Sequence, residues 1–261
     1  MKTRVKPFRS VRNFRDFGGY TTSDGLRVKP GLLYRSGHFA EAREDEIAEI
    51  DGLRIRMQVD LRRPDERERQ PHRWNAPELI TSEGGREMTS PHVEFVQTIE
   101  RSDPEAAEAH MTEYYRTAPF KPHHIELFSG WFDRLAGLEG EEAALVNCAA
   151  GKDRTGLLSA FTKSVLGVSD ADIRADYLLT NEAVQLEEHL PRAAAWFNEQ
   201  AGRNHSVEVY RPFLGVREVY LSEAFATIEE QAGGLNAYLT DVLGVDAAKR
   251  EALRARLLEQ T

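Results

Sequence analysis

One cysteine, Cys148, stands among 261 residues, and a single thiol makes neither an internal disulfide scaffold nor a cysteine-cluster metal site. No apolar run approaches the roughly 18 to 20 residues that a membrane span needs. The opening residues 1–14 are basic but lack the apolar stretch of a signal peptide, which predicts a cytoplasmic protein. Basic charge is also scarce: 34 Lys and Arg against 43 Asp and Glu leave a formal net charge of −9. Broad nucleic-acid binding draws on a basic surface and is therefore not expected. The eight histidines show no HExxH or HxH spacing. Adjacent His123 and His124 cannot share one helix face, so neither a metal nor a cofactor is expected. Repeats and low-complexity linkers are missing as well. What remains is 41% hydrophobic and 30% charged residues, enough for a substantial core.

Residues 11–20 read as a loop in which Gly18-Gly19 supplies backbone freedom. Two short strands are expected within 26–36, broken at Pro30-Gly31, then a helix over 41–52 that Gly52 closes. A strand over 55–61 runs into a charged loop, and 79–97 is expected to hold one or two strands around Gly84-Gly85. Ser102-Asp103-Pro104-Glu105 reads as a helix start, with Ser102 as cap and Glu105 reaching back, for a helix to about Tyr115. Another helix follows over 122–136. A short apolar strand at 143–147 then leads through a Gly-containing turn into an amphipathic run. From Ser169 to the end nearly everything has helical periodicity, including 170–179, 182–201, 217–232 and 247–259. Early strands and late helices predict one α/β domain over 1–261.

The informative stretch is Val146-Asn147-Cys148-Ala149-Ala150-Gly151-Lys152-Asp153-Arg154-Thr155-Gly156. A strand ends, Cys148 sits at the turn, and a helix begins near Arg154. Inward-facing amides of such a turn form an anion-binding concavity at the positive end of a helix. Ala149, Ala150 and Gly151 are small enough for the backbone to approach a ligand. Five residues lie between Cys148 and Arg154, so the guanidinium can swing over the concavity and fork two phosphate oxygens. The same amides favour a thiolate over a thiol, making Cys148 a nucleophile beneath a bound phosphate. The Thr155 hydroxyl is placed to hydrogen-bond that sulfur. The competing reading is a buried structural cysteine.

C-x-A-G-K-D-R-T-G resembles the signature loop of the Cys-based protein tyrosine phosphatase superfamily. Asn13-Phe14-Arg15-Asp16-Phe17-Gly18-Gly19 is similar to the N-x-R-D-x-G-G segment of its bacterial and fungal tyrosine-phosphatase-like branch. Leu33-Tyr34-Arg35-Ser36, Val59-Asp60-Leu61-Arg62 and the run from Tyr220 through Leu243-Gly244 match that branch in order and spacing. The resemblance implies a central, mostly parallel sheet flanked by helices, with the Cys loop between the last parallel strand and a helix. It also implies a phosphomonoesterase acting on phosphorylated protein or phosphoinositide. Lids occur in the resembled branch, which makes 102–136 a candidate helical lid. One departure stands out: Asn147 occupies the place where the superfamily usually has His.

For the proton of the leaving group Asp153 ranks first, because lipid phosphatases place the acid inside the loop; Asp60 and Asp65 follow. Asp153 has a structural alternative, pairing with Arg15 or Lys152 to hold the loop. Lys152 faces either the phosphate, where it would favour multiply charged head groups, or solvent. Arg15 and Asp16 are candidates to orient the loop from beneath, as are Arg35 and Arg62, with a structural ion pair the alternative for each. Two other functions compete: a phosphate-binding module without turnover, and a sulfur-transfer enzyme.

Overall fold

The apolar run Ala143–Asn147 is that of a strand covered on both faces, and Ile55–Asp60, which alternates apolar with polar residues, is buried at every position but Arg56. In the computed structural model, which describes residues 5–86 and 103–261, both are central. The elements are β1 (Arg15–Asp16), β2 (Arg27–Val28), β3 (Leu33–Ser36), α1 (Glu44–Asp51), β4 (Ile55–Asp60), α2 (Pro64–Arg69) and β5 (Glu78–Ile80). They continue as α3 (Pro104–Thr117), α4 (Pro122–Ala136), β6 (Ala143–Asn147), α5 (Asp153–Leu166), α6 (Asp170–Ala183), α7 (Leu186–Ala201) and α8 (Val207–Leu214). The chain ends through α9 (Glu218–Ala232), a short helical stretch Leu235–Ala237 widening into a π turn Tyr238–Val242, α10 (Ala247–Leu257) and β7 (Leu258–Glu259).

The main sheet has the order β1-β3-β6-β4-β5, with β3, β6, β4 and β5 parallel and β1 antiparallel at one edge. This is the expected mostly parallel sheet flanked by helices. Its register aligns the carboxyl ends of three strands, Ser36 opposite Asn147 and Asn147 opposite Asp60. Open parallel sheets place their ligand sites at such ends.

Several expectations are corrected. The charged stretch after β4 is not a loop, because Pro64 starts α2 and Glu66 bonds back to the Arg63 amide at 2.9 Å. The cap of α3 is Asp103, whose carboxylate accepts from Glu105 N at 2.9 Å; Ser102 lies outside the described residues, as do 87–97 of the expected strand region. Helix α8 falls within the expected helical region beyond Ser169 and carries Pro212, whereas β7 pairs with β2 where helix was expected to continue. Helices α3 and α4, which span most of the candidate lid, pack their apolar faces into the core: Met111, Tyr115, Leu127, Phe128, Trp131 and Phe132 are buried.

Candidate active site

Strand β6 delivers Cys148 to the sheet's carboxyl edge, where the thiol is 2% exposed. Residues 149–152 turn, and α5 begins at Asp153 with its amino end toward the turn. Gly151 has φ +66°, and a Cβ there would lie 2.3 Å from the Ser36 carbonyl carbon. Glycine is therefore required for contact with the end of β3, not only for ligand approach.

The loop's carbonyls point into the framework. Ala149 O accepts from His38 N at 3.2 Å. Gly151 O accepts from Asn13 Nδ2 at 2.6 Å and from Arg35 Nη2 at 2.8 Å. Among the described residues the amides of Ala149, Ala150, Gly151 and Lys152 donate to no acceptor. Carbonyls turned back and amides turned out make an anion site at a helix start.

Arg154 is held by a partner the sequence did not reveal. Its Nη1 donates to Glu66 Oε2 at 2.7 Å and to Leu61 O at 2.9 Å, and its Nη2 donates to Glu66 Oε1 at 2.8 Å. Those three bonds leave the Nε–H and the outer Nη2–H, the other two-pronged edge of the guanidinium, for a ligand. Burial alone would raise the Glu66 pKa, but Arg154 and Arg63 outweigh it and hold the carboxyl well below the usual range. Burial likewise opposes the Arg154 charge, and Glu66 overcomes it.

Asp153 is buried in a chain of tyrosine hydroxyls: Tyr115 donates to its Oδ1 at 2.8 Å, and Tyr177 donates to Tyr115 at 2.7 Å. Tyr114, from the same turn of α3, lies partly buried within electrostatic reach of Arg154, Asp153 and Cys148. Both α3 tyrosines fit helix packing by sequence, and both face the site. Lys152 turns to neither phosphate nor solvent. Its Nζ donates to Phe213 O and, at 2.8 Å, to Gly215 O, with Asp153 Oδ2 3.7 Å away. The expected Thr155–sulfur bond is not made; Thr155 Oγ1 is buried without a hydrogen-bond partner.

The remaining candidates divide. Arg35 touches the loop directly, whereas Arg15 acts through Asn13, to whose side chain it donates. Asp16 accepts from Gly18 N at 2.8 Å and from Gly31 N at 2.6 Å, tying the two segments together. Asp60 is saturated by Arg62 and by Asn147 Nδ2 at 2.9 Å, which suits strand-end bracing and not proton transfer. Asn147 thus binds side chains, since its Oδ1 accepts from Gln58 at 2.8 Å. Asp65 sits on α2 and pairs with Arg63 and Arg69. No group of three metal-ligating side chains occurs among the described residues, nor any helix long and apolar enough to cross a membrane.

Beside the loop a cavity of about 210 Å³ opens, with Ala150, Lys152 and Arg12 on one side and Leu186, Leu190 and Phe213 among its apolar walls.

Comparison with known proteins agrees with this geometry. The model of a tyrosine phosphatase family matches residues 6–259. A Cupriavidus necator protein named as a tyrosine-protein phosphatase is 32% identical, covering 93% of this chain and 85% of its own length. The triple specificity protein phosphatase PtpB of Mycobacterium tuberculosis is 27% identical, covering 97% of this chain and 99% of its own.

Proposed function

The chain belongs to the tyrosine phosphatase family, and from that premise we propose that it hydrolyses phosphate monoesters, phosphotyrosine first, through a phosphate held on Cys148. One observation carries the reading: the amides of residues 149–152 donate to no acceptor among the described residues, and Arg154, oriented by Glu66, lies within electrostatic reach of Cys148 at the start of the same loop.

In the first step the Cys148 sulfur attacks phosphorus as the ester P–O bond breaks, and Asp153 gives its proton to the departing oxygen. Amides and Arg154 take the charge of the equatorial oxygens. Water then attacks phosphorus, Asp153 accepts its proton, and the S–P bond breaks to release phosphate and thiolate. The apolar cavity beside the loop supports substrates with an aryl or other apolar part. The mycobacterial relative is named for triple specificity, which supports a range wider than phosphotyrosine, and we extend the proposal to phosphoserine and phosphothreonine esters. Phosphoinositides lose one argument, because the lysine expected to meet their extra charges is spent on backbone carbonyls. A non-catalytic binder is disfavoured by the buried thiol and loop aspartate, which binding alone does not need.

With p-nitrophenyl phosphate in EDTA, turnover should persist, vanadate should block it, and Cys148→Ser should abolish it while phosphate binding remains. Hydrolysis by Cys148→Ser at the wild-type rate would remove the nucleophile from the scheme.

A further inference from the structure

We propose that Tyr115 and Tyr177 are positioning residues for Asp153, a buried hydroxyl chain that makes Oδ2 the oxygen from which the leaving group takes its proton. The inference rests on Asp153 as general acid.

Tyr177 OH lies 2.7 Å from Tyr115 OH, and Tyr115 OH lies 2.8 Å from Asp153 Oδ1. Neither phenol can wander. Tyr115 is fully buried and Tyr177 is 1% exposed, their rings meet edge to face at 6.2 Å, and Tyr220 stacks on Tyr115 at 5.3 Å. The signature Gly156 belongs to this arrangement, since a Cβ there would lie 3.0 Å from a Tyr177 ring carbon. Bare backbone on the first turn of α5 is what lets the Tyr177 ring reach the loop.

Direction follows from hydrogen-bond capacity. Tyr115 already accepts from Tyr177, so its own proton points at Asp153. Burial, reinforced by Asp153, holds the Tyr115 phenol well above its ordinary pKa, so it donates at every working pH. Asp153 Oδ1 is therefore an acceptor whether the carboxyl is charged or neutral, and a transferable proton resides on Oδ2. Lys152 faces that oxygen at 3.7 Å but is anchored on the carbonyls of Phe213 and Gly215. An acid whose proton sits on the wrong oxygen cannot meet a leaving group, and general-acid assistance of this kind is typically worth about 10²–10⁴-fold.

The test reads kcat/KM across esters from p-nitrophenyl phosphate, whose leaving group scarcely needs a proton, through phenyl to alkyl phosphates. Tyr115→Phe is expected to lose about 10²-fold on alkyl phosphates and only a few-fold on p-nitrophenyl phosphate. Tyr177→Phe should shift the ratio the same way by less, and it leaves the hydroxyl on Asp153 in place, so it serves if Tyr115→Phe does not fold. Equal losses on every ester, or a wild-type alkyl-to-aryl ratio in both variants, overturn the chain. Asp153→Asn separates the two claims. If it changes the ratio while the tyrosine variants do not, the acid stands and the chain falls; if it leaves the ratio alone, the acid assignment falls first.

Discussion

Two buried polar clusters grip the Cys loop, and their charge is arranged differently. On the β3 side Lys163, Arg35 and Arg15 converge on a single carboxylate, Asp176, at 2.7, 3.4 and 3.5 Å, with side chains no more than 1% exposed. Three cations share one anion, and Arg35 carries the surplus to the loop through Gly151 O, within electrostatic reach of Cys148. On the β4 side charges pair off, Asp60 with Arg62 and Glu66 with Arg154, and an amide ladder of Gln58 and Asn147 runs into Asp60. Beside that cluster burial pushes His72 down to about 4, so it is neutral at pH 7. The contrast separates two tasks. A buried positive surplus is poor for stability but favours a bound phosphate, whereas a balanced cluster fixes geometry with little net field.

Deleting the lone anion should break the first cluster most severely. Asp176→Asn leaves three cations facing each other, and the expected loss is about 3–5 kcal/mol, as for removal of one partner from a buried pair. Urea denaturation measures it; a loss under about 1 kcal/mol would mean that the surplus is compensated elsewhere. In the balanced cluster the expected damage is catalytic. Glu66→Gln keeps one acceptor for Arg154 but loses the fork, and kcat/KM should fall on the order of 10²-fold. Its stability loss should be smaller than that of Asp176→Asn. An unchanged kcat/KM would show that Arg154 orients itself without Glu66.

The contrast itself could not be read from the sequence. What was legible is contiguous: the strand 143–147, the turn and the start of α5 carry their chemistry within a dozen residues, with apolar residues alternating along β4 and running together in β6. Glu66 meets Arg154 across 88 positions and Tyr115 meets Asp153 across 38. In isolation Glu66 looks like one more solvated charge in a run of charges, and Tyr115 like ordinary helix packing. Asp176 and Lys163 each follow helical periodicity, so nothing local betrays that α5 and α6 press them together. Lys152 was misread for a related reason. Its destination, the carbonyls at the end of α8, lies 61 and 63 positions away in sequence.

The finest discrimination between the clusters comes from pH. Burial, partly offset by Asp176, lowers the Lys163 pKa from 10.5 to about 8 in the folded protein. Between those values the unfolded chain binds the extra proton, so unfolding free energy rises with pH across the window. Equivalently, the contribution is complete above 10.5 and is lost as pH falls through about 8. Lys163→Met replaces the ammonium with an apolar chain of similar length and cuts the surplus from two charges to one. At pH 7 its stability should lie within about 2 kcal/mol of wild type, far from the cost of Asp176→Asn. The part of the wild-type rise that begins near pH 8 should be lost in the variant, while Arg35, lowered to about 9 in the same cluster, contributes from higher pH, and the difference between the two curves isolates Lys163. Parallel curves would mean that Lys163 titrates as it does in water, which a side chain 1% exposed over the Phe17 ring at 4.9 Å does not allow. The same substitution sharpens the functional half of the contrast: halving the surplus should weaken vanadate binding a few-fold, whereas neutral changes around Asn147 should leave it nearly untouched.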